Sequence, residues 1–174
     1  MTQILPTLTD VAARIRLLVL DVDGVMTDGR LHYGPDGDEW KAFHVRDGMG
    51  IKLAMRAGIE VAVISGRGGG AVEKRLKELG VHHVLLQRED KDSALDELIG
   101  ELKIGRNAIA CVGDDTPDLA LIESCAIGIA VADAHPSVRA AADWSTALPG
   151  GRGAVREVCD MLVASRPIEG KDVD

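Results

Sequence analysis

Aromatic residues are scarce in this chain: one Phe, one Tyr and two Trp among 174 residues. Val, Leu, Ile and Ala must therefore fill the core, within a hydrophobic content of 46%. Cysteines are also few. Cys111, Cys125 and Cys159 form no CxxC pair and are odd in number, which argues against a disulfide framework and a thiolate metal site. Two of them sit in or beside apolar runs and read as core thiols, suited to a reducing cytoplasm. Basic residues are in deficit, with a net charge of −8, which argues against a general nucleic-acid binder. No apolar run approaches transmembrane length, and the first residues carry neither a basic n-region nor an apolar h-region, so a cytoplasmic location is expected. The five histidines are scattered and make no metal site. There is no internal repeat. The length fits a single domain over residues 1–174, with a core at about 15–163 and a polar tail at 164–174.

What the chain does have is a set of apolar runs that each end in chemistry. Leu17-Leu18-Val19-Leu20 stops at Asp21-Val22-Asp23-Gly24. Such a run reads as a buried strand, and ligands bind at the carboxyl ends of strands in open α/β sheets. Two acids placed there repel one another, a cost that a divalent cation or a phosphoryl reaction offsets. Ile59 to Ile64 ends in Ser65-Gly66-Arg67; His83 to Leu86 is followed, after four more residues, by Lys91; Ile109 to Val112 ends in Gly113-Asp114-Asp115-Thr116-Pro117-Asp118. A fifth strand is expected over Ile127–Val131.

Between the strands, helical periodicity is expected over Gly48–Arg56, Ala71–Leu79, Lys91–Leu102 and Ala154–Val163, with Asp115 or Thr116 capping a helix that has Pro117 in its first turn. Alternating strands and helices predict a doubly wound, mostly parallel Rossmann-like α/β sheet. One insertion breaks the pattern after the first strand. Leu31-His32-Tyr33 and Trp40-Lys41-Ala42-Phe43 flank Gly34-Pro35-Asp36-Gly37, which predicts a β-hairpin at about 30–45. Its three aromatics either cover their own core or meet a partner.

In order, DxDG at Asp21–Gly24, Ser65, Lys91 and GDxxxD at Gly113–Asp118 resemble the four motifs of the haloacid dehalogenase superfamily of aspartate-nucleophile phosphotransferases. The resemblance implies Asp21 as nucleophile, Asp23 as general acid and base, Ser65 and Lys91 as phosphoryl-binding groups, and Mg²⁺ held by Asp21, Asp114 and the Asp23 backbone carbonyl. Asp115 and Asp118 are open between the metal shell, orientation of Lys91 and helix capping. Neither gap between motifs has room for a cap domain, so the chain resembles the capless branch. The strings around Asp21–Gly29, Phe43–Ile51, Ser65–Arg67 and Gly150–Glu157 are similar to the members that hydrolyse an eight-carbon ulosonic acid phosphate on the way to lipopolysaccharide. A nine-carbon sialic-type acid phosphate is the alternative.

In that branch Arg67, Arg152, Gly66 and Asp47 are expected to bind substrate. The chain is expected to form a homotetramer whose hairpins meet centrally. The glycine-flanked Arg152 would ride on a mobile C-terminal arm that covers a neighbour's site. The loop before Lys91 lacks the glycine that relatives often carry. Two classes compete. A receiver-type phospho-switch uses similar groups, but its Lys comes last. A non-catalytic scaffold would not need Asp21, Asp23, Ser65, Lys91 and Asp114 all intact.

Overall fold

The structure, a computed structural model, describes residues 7–166. Six strands form one sheet: β1 (Leu17–Leu20), β4 (Glu60–Ile64), β5 (His83–Leu85), β6 (Ile109–Gly113), β7 (Ile127–Ala130) and β8 (Trp144–Ser145). Their order is β5-β4-β1-β6-β7-β8, and every neighbouring pair is parallel. A separate antiparallel pair, β2 (His32–Tyr33) and β3 (Glu39–Trp40), forms the expected hairpin.

The pleat sorts the core into two layers. Leu18, Leu20, Val61, Val63, Ala110 and Val112 join one apolar cluster, whereas Leu17, Val19, Ala62, Ile64, Ile109 and Cys111 join the other. This is the period-two consequence of strands covered on both faces. The first cluster is closed by α2 (Val45–Arg56), α3 (Gly70–Leu79) and α7 (Ala154–Ala164); the second is closed mainly by α4 (Lys91–Leu102). Each fully buried Leu or Ile side chain contributes about 1.5–3 kcal/mol.

Helix α2 begins three residues before the first expected one, because the His44 imidazole accepts from the Arg46 N–H and caps it. Helices α1 (Leu8–Ala12), α5 (Leu119–Ser124) and α6 (Pro136–Ala141) are five or six residues long. Elements that short, like the two-residue edge strand β8, carry little periodic signal in the sequence. Among the described residues, only the hairpin and α2 separate β1 from β4, and only α3 and β5 separate β4 from Lys91. No helix there is long and apolar enough to cross a membrane.

The strand order places β1 at the centre. The chain runs outward through β4 and β5, then returns to the other side of β1 as β6. The switch point therefore lies between the carboxyl ends of β1 and β6, where an open sheet leaves a crevice.

Candidate active site

That crevice is a cleft of about 450 Å³ holding Asp21, Asp23, Ser65, Lys91, Asp114 and Asp118. Asp21 directly follows β1, and its N–H donates to the Val112 carbonyl of β6 at 3.3 Å. Lys91 opens α4 and is buried; its Nζ lies 2.9 Å from Asp21 Oδ1 and 2.5 Å from Asp118 Oδ1. Ser65 is buried at the end of β4 and accepts from the Arg67 N–H at 3.3 Å. Gly66 and Arg67 also line the cleft.

The loop after β6 separates the roles of its acids. Asp115 caps the 3₁₀ turn at Thr116–Asp118, accepting from the Thr116 N–H at 2.7 Å. Asp118 instead turns inward, accepting from the N–H groups of Asp114 at 3.0 Å and Asp115 at 3.4 Å while it also receives Lys91. Asp21, Asp114 and Asp118 each offer an oxygen within 4.8 Å of the others. Gly24 makes this possible. Its φ of +92° suits glycine, and a Cβ there would lie 2.0 Å from Asp114 Oδ2.

The electrostatics follow from the crowding. Burial, then the Asp118 charge, push the Asp21 carboxyl up to about 6, against the pull of Lys91. Burial and the charges of Asp21, Asp118 and Asp115 push Asp114 up to about 7. Burial alone would lower the Lys91 ammonium, but the charges of Asp21 and Asp118 outweigh it and raise it. Three carboxylates facing one ammonium leave uncompensated negative charge, and hard oxygen donors of this kind fit Mg²⁺.

Asp23 lines the same cleft but is paired differently. Its Oδ1 accepts from Lys41, on the residue after β3, while Lys41 also pairs with Glu39 at 2.7 Å. Asp23 Oδ2 is buried with no hydrogen-bond partner among the described residues, and the Arg67 Nε lies 3.5 Å away. Arg67 reaches Glu39 at 2.5 Å. The hairpin thus abuts the cleft of its own chain through Glu39 and Lys41. Its Tyr33 and Trp40 rings are 63% and 64% exposed, while Phe43 packs against the core. Lys41 and Glu39 went unremarked in the sequence. The signal was the alternation Glu39-Trp40-Lys41, which puts the two charges on one side of a strand and the indole on the other.

Two expected substrate residues lie outside this cleft. Asp47 is buried in the first turn of α2, and its carboxylate accepts from the N–H groups of Gly153 at 3.2 Å and Arg156 at 2.8 Å. It caps the amino end of α7 across 106–109 residues of chain, the role an acid takes where N–H groups are orphaned. The structure thus gives Asp47 a capping role and places it apart from Gly66 and Arg67, the expected substrate residues that line the cleft. Arg152 lines a second concavity with Asp28, Phe43 and His44, and its Nη2 is 3.6 Å from Asp28.

The glycines beside Arg152 are packed against their surroundings. Gly150 lies so close to the loop after β1 that a Cβ would sit 1.6 Å from the Gly24 carbonyl oxygen. The N–H groups of Gly150 and Gly151 donate to Asp133 and to the Val25 carbonyl, both at 2.9 Å. Close backbone approach is the reason for glycine here. Of the polar tail, residues 167–174 lie outside the described residues.

A buried lysine set against an acid cluster at the switch point of a parallel sheet is the architecture of a phosphotransfer hydrolase, and the comparisons agree. The family model described as haloacid dehalogenase-like hydrolase matches residues 82–155. The 3-deoxy-D-manno-octulosonate 8-phosphate phosphatase of Escherichia coli is 46% identical over 164 residues, which cover 92% of this chain and 87% of that protein. The chain belongs to the haloacid dehalogenase-like hydrolases, in the branch of those phosphatases. The Salmonella typhi phosphatase is 47% identical over 155 residues, 89% of this chain and 82% of its own. Two solved structures are similar throughout. The Yersinia pestis phosphatase matches with a TM-score of 0.89 at 43% identity, over 91% of this chain and 85% of that one. The Moraxella catarrhalis enzyme, in complex with magnesium ion, phosphate ion and KDO, matches with a TM-score of 0.89 at 39% identity, over 91% of each chain.

Proposed function

We propose that this enzyme hydrolyses 3-deoxy-D-manno-octulosonate 8-phosphate to the free sugar acid and phosphate. The observation that carries the reading is the placement of Asp21, at the carboxyl end of the central strand, against buried Lys91 and beside Asp23. Phosphate monoesters hydrolyse slowly unaided, so the protein's task is to position groups and neutralise charge.

Asp21 presents its carboxylate to the cleft as the nucleophile, giving an aspartyl-phosphate. Lys91 neutralises the incoming phosphoryl oxygens and holds Asp21 in place. Ser65 donates its hydroxyl to the same oxygens. The Asp23 Oδ2, buried with no hydrogen-bond partner among the described residues, hands a proton to the departing alkoxide and later takes one from the attacking water. Asp21 and Asp114, with the Asp23 carbonyl, would hold Mg²⁺, and Asp118 orients Lys91 and the Asp114 loop. When bound, Mg²⁺ supplies charge neutralisation to the transferring group. Gly66 and Arg67, in the cleft wall, face the sugar acid; a guanidinium suits a carboxylate through bidentate contacts.

Assembly extends the same reading. The exposed Tyr33 and Trp40 rings support hairpins that pack together in a homotetramer. Arg152, outside its own chain's cleft, supports a contribution to substrate binding at a neighbour's site. Three free cysteines suit a reducing cytoplasm. The test is phosphate release from a panel of eight- and nine-carbon sugar-acid phosphates with and without Mg²⁺, alongside light scattering. Preference for the eight-carbon ester by a tetramer is expected. Preference for a nine-carbon ester would overturn the substrate, and a fully active monomer would overturn the assembly.

A further inference from the structure

We infer that Lys41, delivered by the hairpin, is the positioning residue for Asp23, and that the hairpin is thereby part of the catalytic apparatus of its own subunit. The inference rests on the reading of Asp23 as general acid and base. Three observations support it. The Lys41 side chain is only 3% exposed, so its ammonium has left water for specific partners. Those partners are Asp23 Oδ1 and, at 2.7 Å, Glu39. Burying an ammonium is costly unless it is paired, so this contact is held rather than incidental. Finally, the contact engages one oxygen of Asp23 and leaves the other, Oδ2, buried with no hydrogen-bond partner among the described residues and with the Arg67 Nε 3.5 Å away.

A carboxylate swings freely about its side-chain bonds unless one oxygen is tethered. Lys41 tethers Oδ1, which fixes Oδ2 on the side of Arg67, a residue of the cleft wall. Glu39 completes the device. It pairs with Lys41 on one side and with Arg67 at 2.5 Å on the other. The hairpin strand therefore links the proton-transfer acid to a cation that lines the cleft. Lys41 itself does not line that cleft, so it acts through Asp23 and not on the substrate.

Leaving-group dependence separates this role from a structural one. A sugar alkoxide leaves only with a proton from Asp23, whereas p-nitrophenolate leaves well without one. The ratio kcat/KM covers the steps up to phosphoenzyme formation, so it isolates that proton transfer. In Lys41→Met, kcat/KM for the sugar-acid phosphate is expected to fall roughly 10²-fold, and for p-nitrophenyl phosphate less than about fivefold. Lys41→Arg, which keeps the buried charge, is expected to recover part of the difference and carries the test alone should Lys41→Met not fold by circular dichroism. In an Asp23→Asn background the Lys41→Met change is expected to add less than about twofold, since the two act as one unit.

An equal loss for both esters, or an undiminished effect of Lys41→Met without Asp23, overturns the inference. A wild-type enzyme that cleaves other alkyl phosphates but no sugar-acid phosphate overturns the substrate reading instead. The Lys41 comparison then runs on the alkyl ester it does cleave.

Discussion

Metal-free protein should lose stability as the pH rises from 5 to 7.5, the reverse of what paired surface carboxylates produce. The perturbation is removal of Mg²⁺ with a chelator. Asp114 is pushed from an ordinary 3.8 to about 7, and Asp21 to about 6. A carboxyl whose folded value lies above its unfolded one binds more protons folded than unfolded between those values. Its stabilisation is therefore complete below about 4 and lost as the pH climbs through the folded value. For Asp114 the span corresponds to about 4 kcal/mol at about 1.4 kcal/mol per tenfold change in proton affinity. Of that span about 2.5 kcal/mol falls between pH 5 and 7.5, and because the group is partly open to solvent about half of it, roughly 1.2 kcal/mol, is the expected loss after screening. Asp21 loses stability in the same direction, but the two repel one another and their contributions do not add. Urea denaturation at constant ionic strength, from pH 5 to 7.5, reads the loss as a falling midpoint. Saturating Mg²⁺ should flatten the slope and stabilise by about 2.7 kcal/mol at a hundredfold excess over Kd. Asp114→Asn should shrink it without metal, leaving the smaller part that Asp21 contributes. A wild-type midpoint that stays level or rises with pH, or one whose slope is undiminished by Asp114→Asn, would refute the crowded-carboxylate account.

Asp21→Asn should remove the nucleophile and lower kcat by about 10⁴-fold or more, with folding intact by circular dichroism; near-normal turnover would rule out Asp21 as the attacking group. Asp47→Ala strips the cap from the amino end of α7 and should lower stability by about 1–2 kcal/mol in thermal melts. KM for the sugar-acid phosphate should remain within about twofold in that variant, whereas a substrate contact would raise it far more. Arg152→Ala should weaken turnover of the sugar-acid phosphate and spare p-nitrophenyl phosphate, and an unchanged ratio of the two would remove Arg152 from the substrate site.

The parts of the site that could be read from the chain share one physical property: each is local. An apolar run of four or five residues makes a buried strand, a strand ends where polarity returns, and the polar residue there is carried to the sheet's carboxyl edge. Asp21, Ser65, Lys91 and Asp114 could be placed in that way, and so could the parallel sheet that gathers them. Asp115 could equally be read as a cap from its position before Pro117.

Residues whose roles depend on what lies across a gap in the chain needed the tertiary structure. Asp47 sits in the first turn of a helix, yet its partners are N–H groups more than a hundred residues on. Gly150 looked like flexibility and proved to be a contact too close for any Cβ. Asp118 and Asp115 are three residues apart in one loop, and only the arrival of Lys91 from another helix tells them apart. Lys41 is the sharpest case. Alternation in the hairpin puts it on one side of a strand with Glu39, but which half-buried acid that side would meet was decided by how the hairpin folds back on the sheet. Sequence specifies which face a side chain takes along its own element; the opposing surface is chosen by packing, where burial turns an ordinary charged residue into an obligatory partner.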